Sequence, residues 1–273
     1  MQLLAPGLHP SQLSDYYAGA LTLLHPSPRS LKLVALLQNY LQQAFFPAPD
    51  PQRAHCFLGP DYLRWRVHNL RQKIQQDRAV LRVLAEVIAE LELASDLWVD
   101  LPRLRAVAPQ MHQIPAAAPA FSAHRDTWYA NPAAQINLWI PLGNYAADQC
   151  FVFYPDYFEK PVANDSEFFD YQDWLEQVGW QGLQAPPETV YPQALQKPEG
   201  PQFGFACQAG QRLLFSGTHL HQPQPNQRDE IRFSLDLRMV SFAAQAAGSG
   251  APQVDNASRG STWPDFVPLE NWR

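Results

Sequence analysis

Residues 231–240 of the 273-residue chain are Ile231-Arg232-Phe233-Ser234-Leu235-Asp236-Leu237-Arg238-Met239-Val240. Apolar and polar residues alternate strictly from Ile231 to Arg238, and a period of two predicts a β-strand with one face buried. Phe233, Leu235 and Leu237 fall on the apolar face. Arg232, Ser234 and Asp236 fall on the other face. The stretch therefore predicts a strand that packs a core on one side and presents an arginine on the other.

Other short runs of β type lie between Pro115 and this strand. They are Phe121–Asp126, Gln135–Leu142, Gln149–Tyr154 and Gln211–Ser216. The part before Pro115 is helical in character: a helix capped by Ser30 ends before Pro47, and a second helix runs from about Gln72 to Ala94. Helices followed by strands predict an α+β fold, mainly β, in which N-terminal helices buttress a sheet.

No change in composition and no Gly/Ser linker divides the chain, so we expect one domain over residues 1–273. Residues 1–115 would form the helical buttress, residues 116–245 the β core, and residues 246–273 a C-terminal tail of loop, pinned by Trp263 and Trp272. Residues 160–202 would form an insertion in the core that acts as a lid, because acidic and aromatic residues and then a Pro/Gln-rich run fill it. The alternative for its acidic-aromatic part, Val162–Gly182, is a solvated helix whose aromatic residues dock on the barrel.

Composition excludes several classes of protein. A net charge of −6 argues against a nucleic-acid partner, and 46% hydrophobic residues support a sizeable core. The sequence shows no secretory signal and no run approaching the ~20 apolar residues that span a bilayer, so we expect no membrane partner. Cys56, Cys150 and Cys207 are widely spaced, which is typical of reduced thiols in a cytoplasmic protein.

A candidate metal site begins at His124-Arg125-Asp126. Residues i and i+2 of a strand share a face, so His124 and Asp126 can hold one ion together. A distant histidine lies in Thr218-His219-Leu220-His221. Two imidazoles and one carboxylate are the facial triad that binds non-haem Fe(II) and leaves positions open. His219 and His221 share a face by the same rule, and both are candidates for the third ligand.

A buried Arg232 needs an anion, and its planar guanidinium suits a carboxylate. We expect Arg232, helped by the Ser234 hydroxyl, to bind the distal carboxylate of a keto-acid whose other end binds the metal. The alternative is a structural ion pair, such as Arg232–Asp236, on an exposed strand face.

A second polar strand face is predicted in the run Gln135–Pro141. Ile136, Leu138 and Ile140 alternate there with Gln135, Asn137 and Trp139. Buried amides must find partners, so Asn137 or Gln135 is predicted to contact the keto-acid or the primary substrate. The alternative is that this face meets solvent.

The chain resembles the phytanoyl-CoA dioxygenase-like branch of the Fe(II)/2-oxoglutarate oxygenases over roughly residues 120–240. The residues concerned are His124-x-Asp126, Gly210-x-x-Leu213-Leu214-Phe215, and His221 followed by Asn226 and Arg232 at five and eleven residues. The resemblance implies a double-stranded β-helix (a jelly roll, cupin-like), with Fe(II) on His124, Asp126 and His221 and 2-oxoglutarate on Arg232. It also implies hydroxylation of an unactivated C–H bond with O₂, releasing succinate and CO₂.

Three details refine that comparison. The eleven-residue interval to Arg232 favours His221 over His219 as the ligand, which leaves His219 outside the ligand set or in contact with substrate. The family often has a serine two residues after the distal histidine; this chain has Pro223, so Ser234 or another hydroxyl must serve. Relatives that halogenate lack the carboxylate, so Asp126 favours hydroxylation, desaturation or ring closure.

The substrate is predicted to be a small molecule: a metabolite, an amino acid or a natural-product intermediate. Candidate substrate contacts are Arg125, Trp128, Tyr129, Trp139 and His219, although Trp128 and Tyr129 could simply pack the loop. Two other functions fit the same residues. One is a cupin-like metal-dependent isomerase, epimerase or hydrolase without 2-oxoglutarate; the other is a non-catalytic jelly roll that binds a small ligand.

Overall fold

The computed structural model describes residues 2–3, 12–179 and 191–273. Within these ranges the α-helices are α1 (Leu13–Tyr17), α2 (Pro28–Ala44), α3 (Pro60–Gln76), α4 (Arg78–Ala89), α5 (Tyr171–Gln177) and α6 (Phe242–Ala246). The strands are β1 (Gln2–Leu3), β2 (Ala20–Leu24), β3 (Leu97–Val99), β4 (Arg103–Val107), β5 (Ile136–Pro141), β6 (Phe151–Phe153), β7 (Phe203–Gly204), β8 (Arg212–Ser216), β9 (His221–Pro223), β10 (Arg232–Ser241) and β11 (Val267–Pro268). Short 3₁₀-helices occupy many of the connections.

The strands form two sheets. The main sheet has the order β1-β2-β8-β5-β10-β3-β11, with β4 also paired to β10. Its pairs are antiparallel except β1 with β2. The second sheet has the order β7-β6-β9 and is antiparallel. Helices and a mainly antiparallel sheet make the fold α+β, as the sequence predicted.

The central strand β10 packs the helices on one side. Phe233, Leu235 and Leu237 are at most 2% exposed and join one core with residues of α2, α3 and α4, such as Leu37 and Leu84. This burial of apolar side chains is the main source of stability for the sheet–helix interface. The apolar face read from the sequence is therefore the face that the helices cover.

The opposite face of the main sheet looks towards the second sheet. Between the two sheets lies an aromatic cluster of Leu21, Trp139, Leu213 and Phe215 from the main sheet, Phe151 and Phe153 from β6, and Phe205, Tyr145, Cys150 and Cys207 from the connections. The rings meet mostly edge to face, for example Trp139 and Phe151 at 5.4 Å between centroids. The polar residues of β10 share this side of the sheet with the cluster.

The bounds predicted for the second helix, Gln72 to Ala94, were wrong. Two helices, α3 and α4, replace it, because Asp77 leaves helical geometry (φ −78°, ψ 112°) and its carboxylate caps the N–H groups of Ala79 and Val80. The first helix begins two residues before the predicted cap: Ser27 is the N-cap, and Ser30 is its partner in a capping box.

Among the strands, Phe121–Asp126 was wrong as a strand. A 3₁₀-helix ends at Phe121, another begins at Asp126, and His124 makes only a single antiparallel bridge. Strands β2, β3 and β4 were missed because they are short and lie in the part taken as helical. The tail also differs from a plain loop, since it includes β11 and two short 3₁₀-helices, but Trp272 is 5% exposed in the main core and Trp263 stacks on Trp98, as predicted.

Candidate metal centre

His124, Asp126 and His221 converge at the side of the second sheet. Each offers one ligand atom, and these atoms all lie within 4.8 Å of one another. The Nε2 atom of His124 is 3.8 Å from Oδ1 of Asp126, and the two imidazole centroids are 4.5 Å apart. The three residues that the sequence put forward as metal ligands are thus adjacent in space.

Backbone pairing brings the two histidines together. His221 opens β9, and its N–H and C=O exchange hydrogen bonds of 3.0 and 2.9 Å with those of His124. Both Nδ1 atoms face backbone carbonyls, of Ser122 at 2.9 Å for His124 and of His219 at 3.0 Å for His221. A carbonyl only accepts, so each Nδ1 bears the proton and each Nε2 lone pair is left to bind a cation.

Burial keeps His124 neutral. Desolvation, followed by the proximity of His221, lowers the pKa of His124 to about 4. A neutral imidazole is the form that binds a metal ion. The donor is therefore ready for a cation at neutral pH.

Two amides of β5 hold the Asp126 carboxylate. Asn137 donates from Nδ2 to Oδ2 at 2.5 Å, and Gln135 donates from Nε2 to the same oxygen at 3.4 Å and to the Asn137 Oδ1 atom at 2.7 Å. Burial alone would raise the pKa of Asp126, but its net shift is downward, because His221, Arg238 and the Asn137 amide favour the carboxylate. The carboxylate is ionised and oriented.

Gln135 and Asn137 are 0% and 6% exposed, so the alternative that this strand face meets solvent was wrong. Both amides donate hydrogen bonds to the Asp126 carboxylate. Whether they also touch a keto-acid or a substrate stays a prediction.

Arg232 lies on the inner face of β10 and is 5% exposed. Its Nε and Nη1 atoms are buried and have no hydrogen-bond partner in the described chain. The guanidinium lies over the Trp139 ring, 5.7 Å from its centroid. Burial lowers the pKa of Arg232. Interactions with neighbouring groups, of which Cys150 is the strongest, act in the opposite direction and raise it. A buried arginine with unused N–H groups is costly unless an anion binds it.

The structural ion pair Arg232–Asp236 was wrong. Asp236 instead accepts a hydrogen bond from Nε of Arg105 at 2.8 Å, on the neighbouring strand β4. Ser234 is fully buried between them on the same face, with its hydroxyl 3.4 Å from the Asp236 carboxylate. Its role in binding a carboxylate stays a prediction.

Sequence reasoning missed two arginines near the centre. Arg238 is on the inner face of β10, bonds to Asn131 at 3.1 Å and favours the ionised form of Asp126. Arg105 is half exposed on β4 and also interacts electrostatically with Asp126. Arg238 continues the Arg232/Ser234/Asp236 alternation and could have been found from it; Arg105 could not, because β4 was not recognised.

Arg125 and Trp128, two of the predicted substrate contacts, are buried and bond to other parts of the chain. Arg125 is 1% exposed and donates to Asp255 and to the carbonyls of Thr218 (2.5 Å), Tyr157 (2.6 Å) and Lys160 (3.0 Å). Trp128 is fully buried and donates to Asp255 at 2.9 Å. Their partner, Asp255, lies far along the chain, so the segment after Asp126 is anchored inward instead of lining a mouth.

His219 was also wrong as a candidate for the metal or for substrate contact. It is 2% exposed, its ring nitrogens lie 3.0 and 3.3 Å from the carbonyls of Ser216 and Gly19, and its ring packs on Phe158. The chain turns between Ser216 and His221, so the alternation expected of a strand does not apply there.

Tyr129 and Trp139 lie beside the centre. The Tyr129 ring meets the His124 ring edge-on at 5.8 Å, and its hydroxyl donates to the Pro192 carbonyl at 3.2 Å. Burial raises the pKa of Tyr129 strongly, so the phenol is neutral. Trp139 is 4% exposed within the aromatic cluster and lies next to Arg232. Of the two, Tyr129 remains a candidate for substrate contact.

The predicted lid, residues 160–202, is described except for residues 180–190, which lie outside the described part of the chain. Its two ends pair with each other: Asn164 forms a bridge with Ala194, and Ala194 donates to the Ala123 carbonyl beside His124. Phe169, 2% exposed, packs on Tyr129 at 5.5 Å. The described parts of the insertion thus form a wall next to the metal ligands; opening and closing stays a prediction.

A second group of potential ligands, His55, Cys56 and Asp229, lies on the surface. Arg53 already bonds to Asp229, and both Cys56 and Asp229 are exposed. The buried centre is the better metal site, since its carboxylate is bonded by amides and its histidines are fixed by carbonyls.

No family model matches the chain, and no curated protein matches it. Solved structures to which it is similar include ThoJ, a non-heme monooxygenase (15% identity, 84% of this chain and 77% of that chain, TM-score 0.45). Another is EvdO2 from Micromonospora carbonacea var. aurantiaca complexed with 2-oxoglutarate (13%, 86% and 91%, TM-score 0.48). A third is SnoN, a non-heme alpha ketoglutarate dependent epimerase from nogalamycin biosynthesis (15%, 78% and 74%, TM-score 0.34).

All three TM-scores are below 0.5, so these likenesses decide neither family nor activity. The resemblance to the phytanoyl-CoA dioxygenase-like family likewise stays a prediction. Among the described residues, no helix is both long and apolar enough to cross a membrane.

Proposed function

We propose that the chain is a non-haem Fe(II)- and 2-oxoglutarate-dependent oxygenase, built on a double-stranded β-helix made by its two sheets. Its substrate would be a small metabolite, an amino acid or a natural-product intermediate, hydroxylated at an unactivated C–H bond. The main support is a single observation: a cluster of two imidazoles and one carboxylate shares the space between the sheets with a buried arginine that has unused N–H groups.

The donor set fits Fe(II). His124 and His221 each present a free Nε2, and Asp126 presents a carboxylate with a depressed pKa. Three such ligands leave the other coordination positions for a cosubstrate and O₂. The amides of Gln135 and Asn137 hold the carboxylate by Oδ2, which leaves Oδ1, the atom nearer His124, for the metal.

Arg232 fits the distal carboxylate of 2-oxoglutarate. The N–H groups on Nε and Nη1 have no partner in the described chain and can donate to a carboxylate, and a charge-assisted hydrogen bond of this kind is strong in a dry site. The Trp139 ring, against which the guanidinium lies, meets Phe151 edge-on, and Phe151 in turn contacts His221 at 5.8 Å. A continuous aromatic wall thus connects Arg232 with the metal ligands.

The chain's own residues supply binding, orientation and exclusion of water. Arg232 neutralises the distal carboxylate, the Asn137 and Gln135 amides fix Asp126, and the aromatic cluster keeps bulk water from the space between the sheets. Fe(II), 2-oxoglutarate and O₂ supply the oxidising chemistry, with release of succinate and CO₂.

The test needs no substrate. Metal-free protein is titrated anaerobically with Fe(II) and then with 2-oxoglutarate, and the visible metal-to-ligand charge-transfer band is recorded. We expect the band in the wild type, its loss in Asp126→Ala and His221→Ala, and a higher 2-oxoglutarate requirement in Arg232→Met. His25→Ala, which removes an exposed imidazole, is the matched control and should keep the band.

Other outcomes separate the competing functions. If Fe(II) binds at His124, Asp126 and His221 but 2-oxoglutarate gives no band, the keto-acid is not a chelating cosubstrate, and an isomerase, epimerase or hydrolase fits better. If no metal binds, or if His25→Ala behaves like His221→Ala, the proposed centre is wrong.

A further inference from the structure

Cys150 and Cys207 form a close pair of buried thiols. Their sulfur atoms are 3.6 Å apart, and the two residues are 0% and 5% exposed. They are 57 positions apart in sequence, with Cys150 directly before β6 and Cys207 between β7 and β8. The third cysteine, Cys56, is exposed and belongs to the surface group with His55 and Asp229.

The backbone holds both cysteines in place. Cys207 exchanges two 2.9 Å hydrogen bonds with Tyr145, and the Cys150 carbonyl accepts from Gln224 N–H at 2.9 Å. The Tyr145 hydroxyl accepts from the N–H of Phe233 at 2.9 Å, the residue after Arg232. The contact between the thiols is therefore a fixed feature of the space between the sheets.

We propose that Cys150 and Cys207 are a redox modification site, which hydrogen peroxide converts from two thiols to a disulfide. In the first step one sulfur takes an oxygen from the peroxide to give a sulfenic acid, and water leaves. The second thiol attacks that sulfur, the S–S bond forms, and a second water leaves. The two cysteines lose two electrons and two protons in total, and one H₂O₂ is reduced to two waters.

The geometry favours this product over other oxidation states. The sulfurs are 3.6 Å apart and a disulfide needs about 2.05 Å, so closure requires them to approach by about 1.5 Å. A sulfenic acid formed at either sulfur already has a thiol in contact. The pKa of Cys150 is lowered, first because Cys207 donates a hydrogen bond to it and also because of Arg232.

A consequence for ligand binding rests on the proposed function. Both thiols interact electrostatically with Arg232, and Cys207 is paired with Tyr145, whose hydroxyl bonds the backbone next to Arg232. Drawing the sulfurs together displaces this support of the guanidinium. Because small displacements in a preorganised site weaken binding, the disulfide should lower the affinity for 2-oxoglutarate.

The experiment treats the folded, metal-free full chain with hydrogen peroxide in the presence of a chelator, which prevents iron-driven side reactions. Free thiols are then alkylated and the protein is digested without reduction. We expect a cross-linked Cys150–Cys207 peptide that dithiothreitol removes, with Cys56 recovered free or oxidised singly. Cys56→Ser should give the same cross-link, and Cys150→Ser and Cys207→Ser should give none.

The proposal is overturned if Cys150 and Cys207 are recovered as free thiols, or as single oxidised residues, after the peroxide has oxidised Cys56. It is also overturned if the cross-link forms only in urea. This result comes from wild-type protein, so it does not depend on whether the serine variants fold. The second step is tested by the thermal shift that 2-oxoglutarate with Mn(II) gives to reduced and oxidised protein: a smaller shift after oxidation supports it, and equal shifts refute it. No shift in reduced protein would instead refute the proposed function.

Discussion

Replacing Arg232 with methionine should make the ligand-free protein more stable, although it should destroy the proposed cosubstrate site. Two buried nitrogen atoms of Arg232 have no hydrogen-bond partner in the described chain, and each unmet polar group costs about 1–3 kcal/mol. Replacing a buried charge with an apolar side chain of similar volume is often stabilising by roughly 1–4 kcal/mol. We therefore expect Arg232→Met to raise the free energy of unfolding by roughly 1–3 kcal/mol.

Arg125→Met is the matched control, because Arg125 is equally buried and fully bonded. It donates to Asp255 and to three carbonyls. Its removal leaves the buried Asp255 carboxylate without a counter-charge, held only by Trp128 and the Val162 N–H, so the free energy of unfolding should fall by roughly 3–5 kcal/mol. Both substitutions replace arginine with methionine, but they should change the free energy of unfolding in opposite directions.

Urea unfolding followed by far-UV circular dichroism measures both effects. Tryptophan fluorescence is less suitable, because Arg232 and Arg125 each lie within 6 Å of a tryptophan ring. With Mn(II) present, 2-oxoglutarate at 100 times its dissociation constant should add about 2.7 kcal/mol to the wild type and little to Arg232→Met. A ligand-free Arg232→Met protein that is less stable than the wild type would refute the reasoning, since the guanidinium would then serve the fold.

Three further outcomes are expected. Asn137→Ala should lower Fe(II) affinity about 10–100-fold in a chelator competition, because the Asp126 carboxylate loses its 2.5 Å amide bond; unchanged affinity would contradict this role. Tyr16→Phe should flatten the loss of stability in alkali: burial raises the pKa of Tyr16 to about 12 from an ordinary 10, so its contribution is full below pH 10 and is lost as the pH rises through 12. Between pH 8 and pH 11 the wild type should lose roughly 1.4 kcal/mol more than the variant in urea unfolding, and parallel losses would contradict the shift. Asp77→Ala should cost about 1 kcal/mol by the same assay, since the cap of α4 is removed, and a cost near zero would show that the cap is dispensable.

Much of the site could be predicted from local pattern. The alternation of β10 placed Phe233 and Leu235 in the core and Arg232 on the inner face, because a strand repeats every two residues whatever its neighbours are. The spacing of histidine and aspartate also predicted that His124, Asp126 and His221 would lie together, since few kinds of side chain bind a metal ion.

The errors came from contacts that no local pattern contains. Arg125 and Trp128 look like a polar rim in sequence, but Asp255, more than 120 residues later, draws both inward. His219 appeared equivalent to His221 only while the segment was taken as a straight strand; a turn sends its ring to the Gly19 carbonyl. The break at Asp77 was missed because aspartate caps a helix by bonding backbone N–H groups, whereas hydrophobic spacing continues across it.

Asp255 also sets an order for the assembly of the molecule. Its carboxylate bonds Arg125, Trp128 and the N–H of Val162, so it joins the metal-ligand segment and the start of the insertion to a part of the chain made much later. During synthesis, His124 and Asp126 leave the ribosome well before this anchor. The segment that carries His124 and Asp126 therefore reaches its final form only after translation has passed residue 255, and the proposed metal centre is completed late in the life of the nascent chain.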